Sequence, residues 1–160
     1  VGAILHDWNR RSGVLWLLSA VCGGSPYDWD LAFDGAVVAL HLVKPFGFEL
    51  GDKRLKRAGL DYWKHISVNI YENIEDFFLK NKDANMVYFS SSATKNYTTI
   101  NFQDNMFFLF GKESVGLSKE IIVKNLDNLY KIPIYSKHVR SLNLANAVSI
   151  VVYEALRNLK

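Results

Sequence analysis

The chain has 160 residues, of which 49% are hydrophobic and 22% are charged, a balance typical of one folded globular domain rather than of a disordered chain. Its single cysteine, Cys22, excludes an intrachain disulfide framework and a cysteine-based metal site, so we expect a cytoplasmic protein. The net charge of +3 permits an anionic partner, and the longest nearly apolar run, residues 13–24, is too short to span a bilayer.

Segments typical of strands and helices alternate after residue 35. Runs of β-branched and aromatic residues predict the strands, and N-capping side chains followed by helical spacing predict the helices. Asn73 and Ser118 are the expected N-caps of two helices. In chain order we predict a strand at 36–43, a helix at 52–59, a strand at 65–71, a helix at 73–81, strands at 85–91 and 105–111, a helix at 118–126, a strand at 130–135 and a helix from about 143 to the end.

This alternation predicts a single-domain α/β fold with a mostly parallel sheet flanked by helices. The last helix has a clean apolar stripe at helical spacing: Leu144, Ala147, Val148, Val151, Val152, Ala155, Leu156 and Leu159. Ligands of such folds bind beyond the carboxyl ends of the strands. Three polar loops follow predicted strands there, SSSATKN (90–96), GKESVG (111–116) and YSKHVRSLN (135–143), and we expect them to share one site.

The start of the last helix, RSLNLAN (140–146), carries more hydrogen-bonding groups than a helix start needs. Ser141 or Asn143 could cap it, whereas capping does not explain Arg140 and Asn146. A helix N-terminus also binds anions and polar ligands, so a structural and a functional interpretation both stand.

Other motifs are less specific. The loop at 111–116 is neither a P-loop nor a dinucleotide fingerprint, and its glycines serve either a turn or a bound ligand. The basic cluster KRLKR (53–57) suits RNA phosphates or a solvated helix face. The four histidines show no metal-ligand spacing, so we expect no metal site.

Five motifs together are far more specific: LHLVKPFGF, DKRLKRAGLDYW, FGKESVGL, KIPI and RSLNLANAVSIVVYEALR. In this order and spacing, from about Leu40 to Lys160, the chain resembles the SPOUT class of RNA methyltransferases. It is most similar to the tRNA wobble-nucleotide (cytidine/uridine) 2′-O-methyltransferases of the TrmL or YibK type. The resemblance implies a C-terminal trefoil knot, a cytoplasmic homodimer, S-adenosyl-L-methionine as methyl donor and tRNA as substrate.

The resemblance also implies roles for individual residues. The catalytic residues would be Asn143 and Tyr153: Asn143 would hold the knot loop or the reacting ribose, and Tyr153 matches a family tyrosine near the dimer interface. The cofactor-binding residues would be Phe89, Gly111, Glu113, Ile132, Ser141 and Leu142. The residues facing tRNA would be Lys53, Arg54, Lys56, Arg57 and Arg140.

Residues 1–39 depart from the family pattern, whose N-terminal motif supplies an arginine implicated in removing the hydroxyl proton. Aligning Gly13 with the motif glycine places Leu17 where that arginine belongs. The chain is therefore either a catalytically impaired, RNA-binding homologue or the product of a frameshifted reading. When DWNRRS (7–12) is read from the third base of the Asp7 codon, permitted codons encode Leu-Glu-Pro-Glu-Ile, which is the start of the family motif. Methylation of rRNA by the same fold is a further alternative.

Overall fold

The computed structural model describes residues 3–5, 39–44, 67–103, 106–112 and 115–159. Two short 3-10 turns, Tyr97–Thr99 and Leu126–Asn128, join the regular elements of these ranges. The helices are α1 (Ile74–Lys80), α2 (Lys119–Lys124) and α3 (Leu144–Leu159). The strands are β1 (Ala3–Leu5), β2 (Ala39–Val43), β3 (Ser67–Tyr71), β4 (Asn85–Phe89), β5 (Lys95–Asn96), β6 (Met106–Phe110) and β7 (Leu129–Lys131).

The described strands form one seven-stranded sheet in the order β3-β2-β1-β6-β4-β7-β5. Strand β2 is parallel to β3, and β6, β4, β7 and β5 are mutually parallel neighbours. The mostly parallel sheet predicted from the alternation is confirmed. Among the described strands, only β1 runs antiparallel to its neighbours, with Ala3 opposite both Leu42 and Phe110. Strand β1 lies in the segment that departs from the family motifs.

The hydrophobic core lies around β6 and the inner face of α3. All five residues of β6 are buried, as expected for a parallel strand with both faces covered. The stripe predicted on the last helix is confirmed, because Val148, Val151 and Val152 are fully buried. Burying each such side chain contributes about 1.5–3 kcal/mol, so this stripe anchors α3 to the hydrophobic core.

Side-chain capping starts α1 and α2 where the sequence predicted. The Asn73 Oδ1 atom accepts a hydrogen bond of 2.7 Å from the Asp76 amide, and the Ser118 Oγ atom accepts one of 3.4 Å from the Ile121 amide. Each bond satisfies an amide that has no partner within the helix. None of the helices within the described residues is long and apolar enough to cross a membrane.

Two strand predictions were too long. The strand predicted at 130–135 ends at Lys131, because Pro133 has no amide hydrogen to donate to a neighbouring strand. The strand predicted at 85–91 ends at Phe89, where serine side chains form a turn instead. The helix predicted at 52–59 lies outside the described residues.

Candidate active site

A cleft of about 630 Å³ opens at the carboxyl ends of β4, β6 and β7. Because these three strands are parallel neighbours, the loops that follow them leave the sheet at the same edge. The cleft is lined by residues from all three of the polar loops expected to share one site. The first turn of α3 closes it through Leu144 and Ala147.

The wall between β4 and β6 is aromatic. Phe89 and Phe110 are the last residues of their strands and lie opposite each other in the parallel register. Their ring centroids are 4.5 Å apart and their planes differ by 11°. Both side chains are buried and both line the cleft, so the core continues directly into the site.

The loop after β4 is a tight serine turn. The Ser90 amide donates a 3.0 Å hydrogen bond to the Tyr130 carbonyl, which extends the pairing of β4 with β7. The Ser90 Oγ atom accepts from the Ser92 amide at 3.2 Å and lies 2.8 Å from the Ser92 hydroxyl. These bonds hold the backbone of Ser90–Ser92 against the cleft in place of a longer strand.

The loop after β6 folds back on its own first residue. The Gly116 amide donates a 2.7 Å hydrogen bond to the Lys112 carbonyl, and Gly116 adopts a φ of +69° that favours glycine. A Cβ atom on Gly111 would overlap the backbone of Gly116 and Leu117. Gly111 is therefore required for a backbone-to-backbone contact, and this contact shapes one side of the cleft.

The third loop leads into α3 through Asn143. The Asn143 Oδ1 atom accepts a 3.3 Å hydrogen bond from the Asn146 amide, and the Asn143 carbonyl accepts a 3.0 Å bond from the Ala147 amide. Asn143 is therefore the N-cap, and Ser141 is left exposed on the cleft lining. Of the two caps that the sequence allowed, the structure uses Asn143.

The structure brings most of the expected cofactor residues together. Phe89, Gly111, Ile132, Ser141 and Leu142 all line the cleft. Of the expected RNA contacts, Arg140 also lines it. Glu113 and the basic residues Lys53, Arg54, Lys56 and Arg57 lie outside the described residues.

The two residues expected to be catalytic lie outside this lining. Asn143 immediately follows Leu142 at the edge of the cleft, whereas Tyr153 lies farther along α3 and is 49% exposed. The structure therefore does not bring Tyr153 to the cleft.

Sequence reasoning missed three lysines of the lining, Lys112, Lys119 and Lys131. Lys112 and Lys131 stand at strand ends. Because ligands of such folds bind beyond the carboxyl ends of the strands, both lysines could have been predicted to line the cleft. Lys119 could not have been found in this way, because α2 reaches the cleft only through tertiary packing. Among the described residues, no cluster of three or more His, Cys, Asp or Glu side chains could hold a metal ion.

Comparison with known proteins decides the family. The model of the SpoU rRNA Methylase family matches residues 32–153. A Geobacillus stearothermophilus protein, provisionally named a tRNA (cytidine(34)-2′-O)-methyltransferase, is 43% identical over 122 residues, which are 74% of this chain and 77% of the relative. The chain belongs to the SpoU methylase family. This SpoU methylase is also 40% identical over 121 residues to the tRNA (cytidine(34)-2′-O)-methyltransferase of Saccharophagus degradans. The match covers 75% of this chain and 78% of that relative.

Solved structures agree with this membership. A structure that addresses the 2-OH methylation of C/U34 on tRNA has a TM-score of 0.76 and 35% identity, over 91% of this chain and 93% of that one. The SpoU methyltransferase AviRb of Streptomyces viridochromogenes, in complex with AdoMet, has a TM-score of 0.71 at 19% identity, over 95% of this chain and 60% of that one. The second likeness concerns the fold alone.

Proposed function

We propose that this SpoU methylase transfers a methyl group from S-adenosyl-L-methionine to the ribose 2′-hydroxyl of the wobble nucleotide of tRNA. The observation that carries the proposal is the convergence of three motif-bearing loops on one cleft. The relatives at 40–43% identity are named for this reaction on cytidine 34 of tRNA, which supports the substrate.

The cleft suits the methyl donor chemically. Its volume of about 630 Å³ lies within the usual range of small-molecule sites, about 300–1,000 Å³. Phe89, Ile132 and Leu142 offer apolar walls for an adenine ring, and Gly111 and Gly116 bring backbone without side chains to the lining. We propose that these residues and Ser141 hold the donor, together with Glu113, which lies outside the described residues.

The bound donor supplies a methyl group that is already electrophilic, so the reaction needs no metal. The chain must hold the ribose in line with the methyl group and provide for removal of the hydroxyl proton. Arg140, exposed at the cleft, is suited to a flanking phosphate. Asn143, at the start of α3, is suited to holding the loop or the ribose beside it.

We further propose that the C-terminal segment forms a trefoil knot and that the protein is a cytoplasmic homodimer. Strand β7 inserts between β4 and β5, both of which precede it in the chain, and the loop after β7 then shares the cleft with the loop at 111–116. On α3, Ile150 and Tyr153 are 37% and 49% exposed and lie three residues apart on one face, which supports a partner helix there.

The experiment combines the purified protein, tRNA transcripts and methyl-labelled S-adenosylmethionine, followed by nuclease digestion and mass spectrometry. We expect a 2′-O-methyl group on nucleotide 34. A transcript with a 2′-deoxyribose only at that position is the matched control and should take up no label. Label at any other nucleotide would contradict the proposed specificity.

The family description favours one second candidate, methylation of rRNA, because the matching model is named for rRNA methylation. Parallel reactions on rRNA fragments separate the two substrates. Leu17, at the place of the family arginine, favours another alternative, a catalytically impaired RNA-binding protein. Donor binding without transfer to either RNA would support it. Resequencing the gene tests the frameshift explanation, since an intact reading frame that encodes DWNRRS would end it.

A further inference from the structure

Four cationic side chains converge on the cleft: Lys112, Lys119, Lys131 and Arg140. They come from the loop after β6, the first position of α2, the end of β7 and the loop before α3. No acidic side chain occurs among the described residues that line this cleft. The described part of the lining therefore carries only positive charge, although the chain as a whole has a net charge of only +3.

Within the described residues, none of these four cations has a side-chain hydrogen bond or an ion pair. Some cations elsewhere are engaged by acidic side chains: Lys44 pairs with Glu72, Lys80 pairs with Asp76, and Arg157 pairs with Glu154. Lys95 donates to the Asp127 carbonyl. The cations at the cleft are thus available to a ligand.

The position of Lys119 is not explained by helix stability. It is the first residue of α2, where the helix dipole favours negative side chains and disfavours positive ones. Lys124, in the last turn of the same helix, stands where a cation is favoured. Lys119 thus stands where the helix dipole disfavours a positive charge, and it lines the cleft. This position is suited to binding an anionic ligand.

The methyl donor does not account for this charge. Its sulfonium and ammonium groups outnumber its single carboxylate, so the donor is itself a cation. RNA does account for it, because a ribose that reaches the cleft brings the phosphates on its 5′ and 3′ sides to the surrounding surface. Phosphate contacts of this kind position the nucleic acid without reading its sequence.

We propose that Lys112, Lys119 and Lys131, alongside Arg140, bind the backbone phosphates that flank the methylated nucleotide. The three lysines are positioning residues: they hold the ribose at the cleft and take no part in the transfer. This inference rests on the proposed function for the identity of the RNA, and it extends the expected RNA contact surface from residues 53–57 and Arg140 to the cleft itself.

The test measures tRNA binding by fluorescence anisotropy between 50 and 200 mM salt, without cofactor, for Lys112→Gln, Lys119→Gln, Lys131→Gln and the triple variant. Lys124→Gln is the matched control, since it removes the same charge from the same helix away from the cleft. Each lost phosphate contact lowers the slope of log affinity against log salt by about 0.7–0.9. When the salt concentration rises from 50 to 200 mM, the fold-loss of affinity of each single variant should therefore be about 3-fold smaller than that of the wild type.

Lys124→Gln should keep the wild-type slope, and thermal melting should show every variant folded. Equal slopes for the wild type, Lys119→Gln and the triple variant would overturn the inference. Equal slopes for Lys119→Gln and Lys124→Gln, both below that of the wild type, would also overturn it, because the effect would then be one of net charge. If the slope falls in the lysine variants but the wild type methylates no RNA, the proposed function would be contradicted and the lysine contacts with RNA would still be supported.

Discussion

Phe89 and Phe110 stack face to face at the ends of two adjacent parallel strands, with ring centroids 4.5 Å apart. They are paired in the strand register, so the sheet itself sets their separation. Because both rings are buried and line the cleft, the same contact stabilises the core and shapes the proposed donor site.

Replacing Phe89 or Phe110 by leucine should lower the free energy of unfolding, and the two effects should not add. Stacked aromatic pairs contribute about 0.5–1.5 kcal/mol beyond the area they bury, so a double-mutant cycle should give a coupling energy in that range. Urea unfolding of the two single variants and the double variant measures it. Additive effects would show that the rings pack independently.

Gly111→Ala should destabilise the protein and abolish donor binding. The added Cβ overlaps the backbone of Gly116 and Leu117, which cannot rotate away, so we expect a loss of about 3 kcal/mol or more. The matched control is Gly116→Ala, where nothing lies within 4 Å of the new Cβ and only the φ of +69° opposes it, at about 1 kcal/mol. Calorimetric titration with S-adenosylmethionine and thermal melting would test both; equal effects of the two substitutions would contradict the close contact at Gly111.

Two substitutions separate the role of Asn143 as a helix cap from a role in the candidate active site. Asn143→Ala should cost about 1 kcal/mol of stability, because the Asn146 amide loses its acceptor. Asn143→Asp keeps an N-cap acceptor and should keep most of the stability. If Asn143 also positions the ribose or the loop, both variants should lose methyl transfer. Normal activity in Asn143→Asp with a loss only in Asn143→Ala would leave capping as its role.

Tyr153→Glu should shift the protein from dimer to monomer at micromolar concentration. The substitution places a charge on the half-exposed face of α3 proposed to meet a second subunit, and a desolvated unpaired charge opposes association. Val123→Glu is the control, since Val123 is 69% exposed on α2. Light scattering during size-exclusion chromatography reports the mass; a wild type that is already monomeric would refute the proposed dimer.

The ion pair of Glu154 with Arg157 makes stability depend on pH. The Arg157 Nε and Nη2 atoms donate bonds of 3.0 and 2.6 Å to the carboxylate and lower the pKa of Glu154 below its usual value of 4.5. Because the pKa of Glu154 is lower in the folded state than in the unfolded state, the ion pair contributes fully to the free energy of unfolding above about pH 4.5. This contribution is lost as the pH falls through the folded-state pKa. Arg157→Gln should therefore unfold more easily than the wild type at neutral pH, and the difference should shrink toward pH 3. A difference independent of pH would exclude this pair as its cause.

Much of the fold was readable from local pattern. The stripe on α3, the caps at Asn73 and Ser118 and the buried strand β6 each follow from a few adjacent residues, because hydrophobic periodicity and N-capping are local properties. Because ligands of parallel sheets bind beyond the carboxyl ends of the strands, the sequence also predicted that the three loops share one site. The family motifs pointed to Ser141 and Leu142, which line the cleft.

Strand order and packing between distant segments were decided only by the tertiary structure. Pattern alone did not reveal that β7 inserts between β4 and β5, that strand pairing stops at Lys131, or that β1 runs antiparallel. Nor did it reveal that Gly111 touches the backbone of Gly116 or that Lys119 reaches the same cleft as Lys131. These relationships join residues far apart in the chain or depend on how a loop closes, and their energies come from burial and steric contact. The sequence by itself therefore determined which segments bear the site, and the register of the parallel sheet determined how those segments meet.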